Sequence, residues 1–160
     1  MKMPEKILVP LDGSKAGETA LPYVEELISK MASGNKVVVT LIQVLSSLSR
    51  YVVSGEETIK VPYTRQETDE TRKRAVRYLR TAGATLRKAG ATTKTKVEVG
   101  NPAEEIISAA DEIKADMIAM SSHGRSGLSR WAFGSVTDRV LRGGSRPVLV
   151  VKVPKETHVA

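Results

Sequence analysis

The segment spanning residues 116–151, DMIAMSSHGRSGLSRWAFGSVTDRVLRGGSRPVLVV, constrains the fold of this chain more than any other. A short apolar run over residues 117–120 ends in a loop of small and hydroxyl side chains: Ser121, Ser122, Gly124, Ser126, Gly127 and Ser129. Trp131 and Phe133 follow, then Gly134-Ser135-Val136, a helix-like run from about Ser135 to Leu141, and a second apolar run over residues 147–153. A strand, loop, helix and strand in that order make a βαβ unit, whose two strands lie parallel and whose crossover is right-handed.

The rest of the chain repeats the alternation. Ile7-Leu8-Val9 reads as a first strand, stopped by the turn residues Pro10 to Ser14, with Ser14 placed to cap the helix that follows. Ala20, Leu21, Val24, Leu27, Ile28 and Met31 recur at helical spacing, and Ser33-Gly34-Asn35 closes that helix. Residues 37–45 are almost continuously apolar or β-branched, as in a strand covered on both faces. Residues 46–64 show no period and are expected to be a loop, partly a lid. A long helix is expected from about Thr64, with Val76, Leu79, Gly83 and Leu86 on one face. Residues 94–99 read as a third strand, polar enough for a sheet edge. Asn101-Pro102-Ala103-Glu104 is a helix start: a cap, a proline at the first helical position, and a glutamate three residues after the cap.

At 160 residues, the expectation is one α/β domain covering residues 1–160, with residues 155–160 as a tail. No apolar run approaches the roughly 18 residues of a membrane span, and Met1-Lys2-Met3-Pro4 leads at once into a strand, so a cytoplasmic protein is expected. Absence of cysteine excludes disulfides and thiol chemistry, and two histidines, His123 and His158, do not make a zinc site. The net charge is +7, with ten of the 25 basic residues between Arg65 and Lys96. Without interleaved aromatic residues or a nucleic-acid motif, that run reads as a solvated helix face, and a nucleic-acid partner is not expected.

The loop after the fourth strand carries the functional signal. A loop leaving the carboxyl end of a buried strand and feeding a helix N-terminus presents free N–H groups and a helix dipole to an anion. Glycine permits close backbone approach, serines add hydroxyl donors, and Arg125 and Arg130 add charge, a composition suited to a polyphosphate. Neither Gly-x-x-x-x-Gly-Lys-Ser/Thr nor Gly-x-Gly-x-x-Gly occurs. Asp12, after the first strand, reads equally as an acceptor for a ligand or as a first-turn acid facing a helix dipole. His123 has no partner that would make a triad and reads as a loop brace, while Trp131 and Phe133 read as apolar anchors of the loop or of an interface.

At these residues the sequence resembles the universal stress protein family. Its nucleotide-binding members carry Gly, two residues, Gly, nine residues, then Gly followed by Ser or Thr. Here Ser121, Gly124 and Gly134-Ser135 stand at that spacing, so Ser121 replaces the first glycine and places a side chain where the family's backbone passes the ribose. The opening KILVPLDGS, the GNPAEEI segment and the closing RPVLVVKV resemble the family too. The resemblance implies a doubly wound five-stranded parallel sheet of order 3-2-1-4-5, with helices on both faces and a switch point between strands 1 and 4. It places Pro10, Asp12 and Val39 around an adenine and ribose, and Gly124, Arg125, Gly134, Ser135 and Val136 around the phosphates of ATP, with Mg²⁺ as counter-ion. The two loops that converge there add Gly13, Ser14, Met120, Ser122, His123 and Gly127 to the candidate site. It also implies a homodimer through the strand of residues 147–153. The reading is thus of an ATP-binding stress-response module; a slow ATPase or adenylyl-transferring enzyme, or a nucleotide-free interaction module, remains open.

Overall fold

The structure, a computed structural model, describes residues 2–31, 34–122 and 133–154. Five parallel strands form its main sheet: β1 (Lys6–Pro10), β2 (Val38–Leu45), β5 (Thr92–Val99), β6 (Met117–Ser121) and β7 (Val148–Val151). Their order is β5-β2-β1-β6-β7, the arrangement written 3-2-1-4-5 when only these five are counted. Order therefore reverses between β1 and β6. The polar strand β5 and the short β7 occupy the two edges.

Helices cover both faces. On one side, Leu21, Val24 and Ile28 of α1 (Leu21–Lys30), Leu79 of α2 (Arg65–Ala82) and Leu86 of α3 (Ala84–Lys88) pack on Ile7, Val9, Val39 and Leu41. On the other, Ile106 and Ala110 of α4 (Pro102–Glu112) and Val140 of α5 (Ser135–Gly143) pack on Leu8, Ile42, Ile118 and Met120. Strands sandwiched this way are mostly apolar on both faces, which is why β1 and β2 read as near-continuous apolar or β-branched runs.

Local chemistry sets the helix starts. Asn101 Oδ1 accepts from the Glu104 N–H at 3.2 Å, with Pro102 first in α4. Thr64 and Glu67 form a reciprocal capping box at the start of α2. The helical run that begins there is interrupted at Gly83. A Cβ at Gly83 would lie 2.6 Å from Leu41 Cδ1, so glycine lets this turn press directly on the central strand β2.

Residues 46–64, expected as a loop, instead contain an antiparallel hairpin, β3 (Ser49–Ser54) and β4 (Glu57–Pro62), turning at Gly55 with φ +67°. Tyr51, Val52, Val53 and Ile59 are all exposed. With neither face buried, no alternation of polar and apolar residues is imposed, and the period-2 signal of a strand is missing.

Candidate functional site

Beyond the carboxyl ends of β1 and β6, at the point where strand order reverses, lies a cavity of about 260 Å³. Ile42 and Val44 from β2, Ile106 from α4 and Met120 from β6 give it apolar walls. Pro10, Leu11 and Asp12 enter from the end of β1, and Gly17 from the following 3-10 turn (Ala16–Ala20). The opposite rim is Gly134, Ser135, Val136 and Thr137, the start of α5. The first intrahelical bond there runs from the Asp138 N–H to the Gly134 carbonyl at 2.9 Å, so the N–H groups of Ser135, Val136 and Thr137 precede the helical ladder. Three residues bearing such N–H groups thus line a largely apolar slot, an arrangement that receives an anion beside a flat apolar group.

A chain of hydrogen bonds fixes the floor. The N–H and hydroxyl of Ser14 donate to Asp12 Oδ1 at 2.9 and 2.6 Å, and Ser14 Oγ accepts from the Gly17 N–H at 3.0 Å. Ser121 Oγ donates to the Gly17 carbonyl at 3.0 Å, and Thr137 Oγ1 donates to the Ser121 carbonyl at 2.9 Å. The Gly134 N–H donates to the Ser122 carbonyl at 2.6 Å. Ser122 is tied to the edge strand, its N–H donating to the Val151 carbonyl at 2.8 Å and its Oγ accepting from the Val153 N–H at 3.1 Å. Ser121, standing at the family's glycine position, is therefore a strut: its hydroxyl turns onto the 3-10 turn and the residue is buried.

Of the residues expected here, Pro10, Asp12, Met120, Ser121, Gly134, Ser135 and Val136 line the cavity. Gly13, Ser14 and Ser122 support it from behind; Gly13, at φ +87°, takes a turn conformation that favours glycine. Val39 does not line this cavity. It pairs with Ile7 near the amino end of β2 and is wholly buried in the core, whereas Ile42 is the residue level with Pro10. His123, Gly124, Arg125 and Gly127, with Ser126, Ser129, Arg130 and Trp131, lie outside the described residues. Phe133, expected as an apolar anchor, is 46% exposed.

Residues missed in the sequence include Gly17, Ile42, Val44, Ile106 and Thr137. The helical spacing of Ile106 and the rule that ligands meet strand carboxyl ends could have found three of them. Gly17 and Thr137 carry no local signal. Tyr78 of α2 is a further supporting residue: its hydroxyl is buried beside Gly13 and Glu18. Burial first, then the charges of Glu18 and Asp12, push its pKa up to about 12.

That shift has a testable sign. The folded state holds the Tyr78 proton more tightly than the unfolded chain, whose tyrosines ionise near 10. Its contribution to stability is therefore complete below about pH 10 and lost as pH rises toward about 12. Urea unfolding at pH 8 and pH 11 is expected to show an alkaline loss, with about 1 kcal/mol of it absent in Tyr78→Phe after allowance for solvent screening. An identical alkaline loss in both proteins would assign the effect to other groups.

Fold and cleft together define a doubly wound α/β protein with an anion-receptive slot at its switch point. The model of the universal stress protein family matches residues 3–152, and the chain belongs to that family. It is 31% identical over 154 residues to the universal stress protein YxiE of Bacillus subtilis, covering 92% of this chain and 98% of that one. To the universal stress protein MJ0577 of Methanocaldococcus jannaschii it is 29% identical over 163 residues, covering 94% and 96%. The solved MJ0577 structure superposes with a TM-score of 0.73, over 98% of this chain and 100% of that one. Two structures at lower identity share the fold: a universal stress protein in complex with cAMP (23%, TM-score 0.63, covering 96% and 100%) and an Arabidopsis thaliana family member with AMP bound (15%, TM-score 0.63, covering 96% and 94%).

Proposed function

We propose that this chain binds ATP, accompanied by Mg²⁺, in the cleft between β1 and β6, and that occupancy regulates its conformation or its choice of partner in a stress response. The proposed setting is the cytoplasm and the proposed assembly a homodimer. The observation that carries the reading is the pairing of an apolar slot with the start of α5 on its rim. In this reading an adenine would occupy the apolar slot of Ile42, Val44 and Met120, and the phosphates would meet the N–H groups of Ser135, Val136 and Thr137. The cAMP and AMP complexes of family members support an adenine nucleotide as the ligand class.

The donor set suits Mg²⁺ rather than a metal held by protein alone. Asp12 is a carboxylate on the cleft wall, and among the described residues no group of three His, Cys, Asp or Glu could hold a metal ion. Mg²⁺ keeps several waters and leans on phosphate oxygens, so a site with one carboxylate and hydroxyls is compatible with it. Among the described residues no helix is long and apolar enough to cross a membrane.

The test is mass spectrometry of whatever small molecule leaves the purified protein on denaturation, followed by calorimetric titration with ATP with and without Mg²⁺. An adenine nucleotide released near one per chain, or ATP binding at micromolar concentration, is expected. An empty protein that also ignores ATP, ADP and AMP would sink the reading. Binding rather than turnover is its chemistry: phosphate release is expected below about one per minute, against roughly 10 per second for enzymes selected for rate.

A further inference from the structure

Charge is divided unequally along this chain. Residues 71–97 contain nine of the 25 basic residues and none of the 18 acidic ones. Without that stretch the net charge of +7 becomes −2, so the protein's whole positive excess resides there. The fold gathers the stretch around one edge of the sheet: the exposed surface of α2, the short α3, and β5, whose Lys94 and Lys96 stand on the sheet face away from α2. Arg72, Lys73, Arg74, Arg77, Arg80, Arg87, Lys88 and Lys94 are all exposed. Among the described residues only Lys96 of the nine takes part in a salt bridge, with Glu98 and Glu112.

Several of these cations are held in place. Arg87 donates from Nη2 to the Arg80 carbonyl at 2.9 Å and from Nη1 to Thr93 Oγ1 at 3.1 Å. Arg72 reaches the Val97 carbonyl at 3.4 Å. Arg80, Arg87, Thr93, Lys94 and Thr95 line one open depression of about 600 Å³. An excess of unpaired, partly ordered cations raises the local potential and lacks any internal acid to neutralise it.

From this we infer, against the solvated face expected from sequence alone, that the α2–β5 face is a binding surface for the phosphate backbone of a double-stranded nucleic acid, read without regard to base sequence. From Arg72 to Arg80 the helix rises ~12 Å, the axial rise of about three to four base pairs of a duplex. A membrane surface is the poorer fit, because the large exposed apolar side chains among the described residues lie elsewhere, at Met3, Tyr23, residues 51–53, Ile59, Phe133 and Leu141. A single strand is also the poorer fit: the one aromatic residue of the stretch, Tyr78, turns its hydroxyl inward and offers no stacking platform. Hydroxyls of Thr93 and Thr95 beside the cations add phosphate donors without base readout. This surface is separate from the cleft and does not depend on the nucleotide reading.

The experiment is fluorescence anisotropy of the full chain with a labelled DNA duplex of about 20 base pairs and the RNA duplex of the same sequence, between about 50 and 200 mM NaCl. Either duplex is expected to bind, with affinity falling roughly 100-fold across that range as about four phosphate contacts are screened. The two duplexes identify which backbone is preferred. The variant Arg77→Glu, Arg80→Glu, Lys94→Glu is expected to lose at least about 30-fold in affinity and to flatten the salt slope by about three contacts. Lys2→Glu, Lys60→Glu, Lys114→Glu changes net charge equally away from α2 and β5 and is expected to stay within about threefold. Thermal unfolding checks that both fold, and Arg80→Gln with Lys94→Gln is the milder substitute, expected to lose about tenfold. Equal losses in the two charge-reversal variants, or binding to anionic phospholipid vesicles but to neither duplex, would overturn the inference.

Discussion

Replacing Gly17 by alanine or valine is expected to lower the affinity of the cleft for ATP at least about 100-fold, or ~2.8 kcal/mol. A Cβ at this position would overlap Asp12 Oδ1 and come within 3.2 Å of Ser14 Oγ. Neither obstacle moves freely. The Asp12 carboxylate is held by two hydrogen bonds from Ser14, and the 3-10 turn is anchored from the far side by Ser121 Oγ on the Gly17 carbonyl. The added carbon must therefore drive the carboxylate from its seat on the cleft wall or lift the turn off β6, and either change distorts a wall of the cleft. Asp12→Asn, which keeps the shape and removes the charge, is expected to lose only about tenfold. Arg87→Ala, on the basic face away from the cleft, is expected to bind ATP within about twofold of wild type. Calorimetry on all three, with thermal unfolding to confirm that each is folded, separates the outcomes. A loss in Arg87→Ala equal to that in Gly17→Ala would mean that general basicity, and not this cleft, holds the nucleotide.

Gly17 also shows where sequence reading stops. The alternation of strands and helices, the cap at Asn101 and the loop after β6 are local signals, since each is written in neighbouring residues by periodicity or capping chemistry. Parallel strands and a switch point follow from that alternation, and the observed order β5-β2-β1-β6-β7 agrees with the order the family resemblance implied. Position along a buried strand is not a local signal. Because β2 is covered on both faces, Val39 and Ile42 look equivalent in sequence, and only the register that sets Ile42 beside Pro10 tells which borders the cleft. The hairpin β3–β4 was illegible for the opposite reason, its two faces both being exposed. Gly17 acts by leaving room for an aspartate five residues earlier, a constraint that exists only once the turn is folded.

The edge strand β7 is expected to join two copies of the chain, and Val150→Pro is expected to separate them. β7 pairs with β6 on one side only. The Pro147 carbonyl accepts from the Ile118 N–H, and the Val151 carbonyl from the Ser122 N–H, so residues 147, 149 and 151 direct their backbone groups at β6. By the alternation of a strand, Val148, Val150 and Lys152 direct theirs outward, where a second chain can pair with them. Val148, Leu149 and Val150 are only partly buried within one chain. A two-fold antiparallel pairing of β7 with its copy would cover these side chains and satisfy the outward groups, because such an interface is self-complementary. Proline at 150 removes an outward N–H and leaves the β6 ladder intact, whereas proline at 149 would break the sheet itself. Wild type is therefore expected to sediment as a dimer at micromolar concentration. Val150→Pro is expected to sediment as a folded monomer, with dimer affinity lower by at least about 100-fold. A monomeric wild type, or a Val150→Pro protein that stays dimeric, would rule this interface out. Because Ser122 is bonded to both Val151 and Val153, the strand that would meet the partner also anchors the end of β6 that borders the cleft. Dimer dissociation measured with and without ATP is accordingly expected to differ, and by linkage the same factor must appear in the ATP affinities of dimer and monomer.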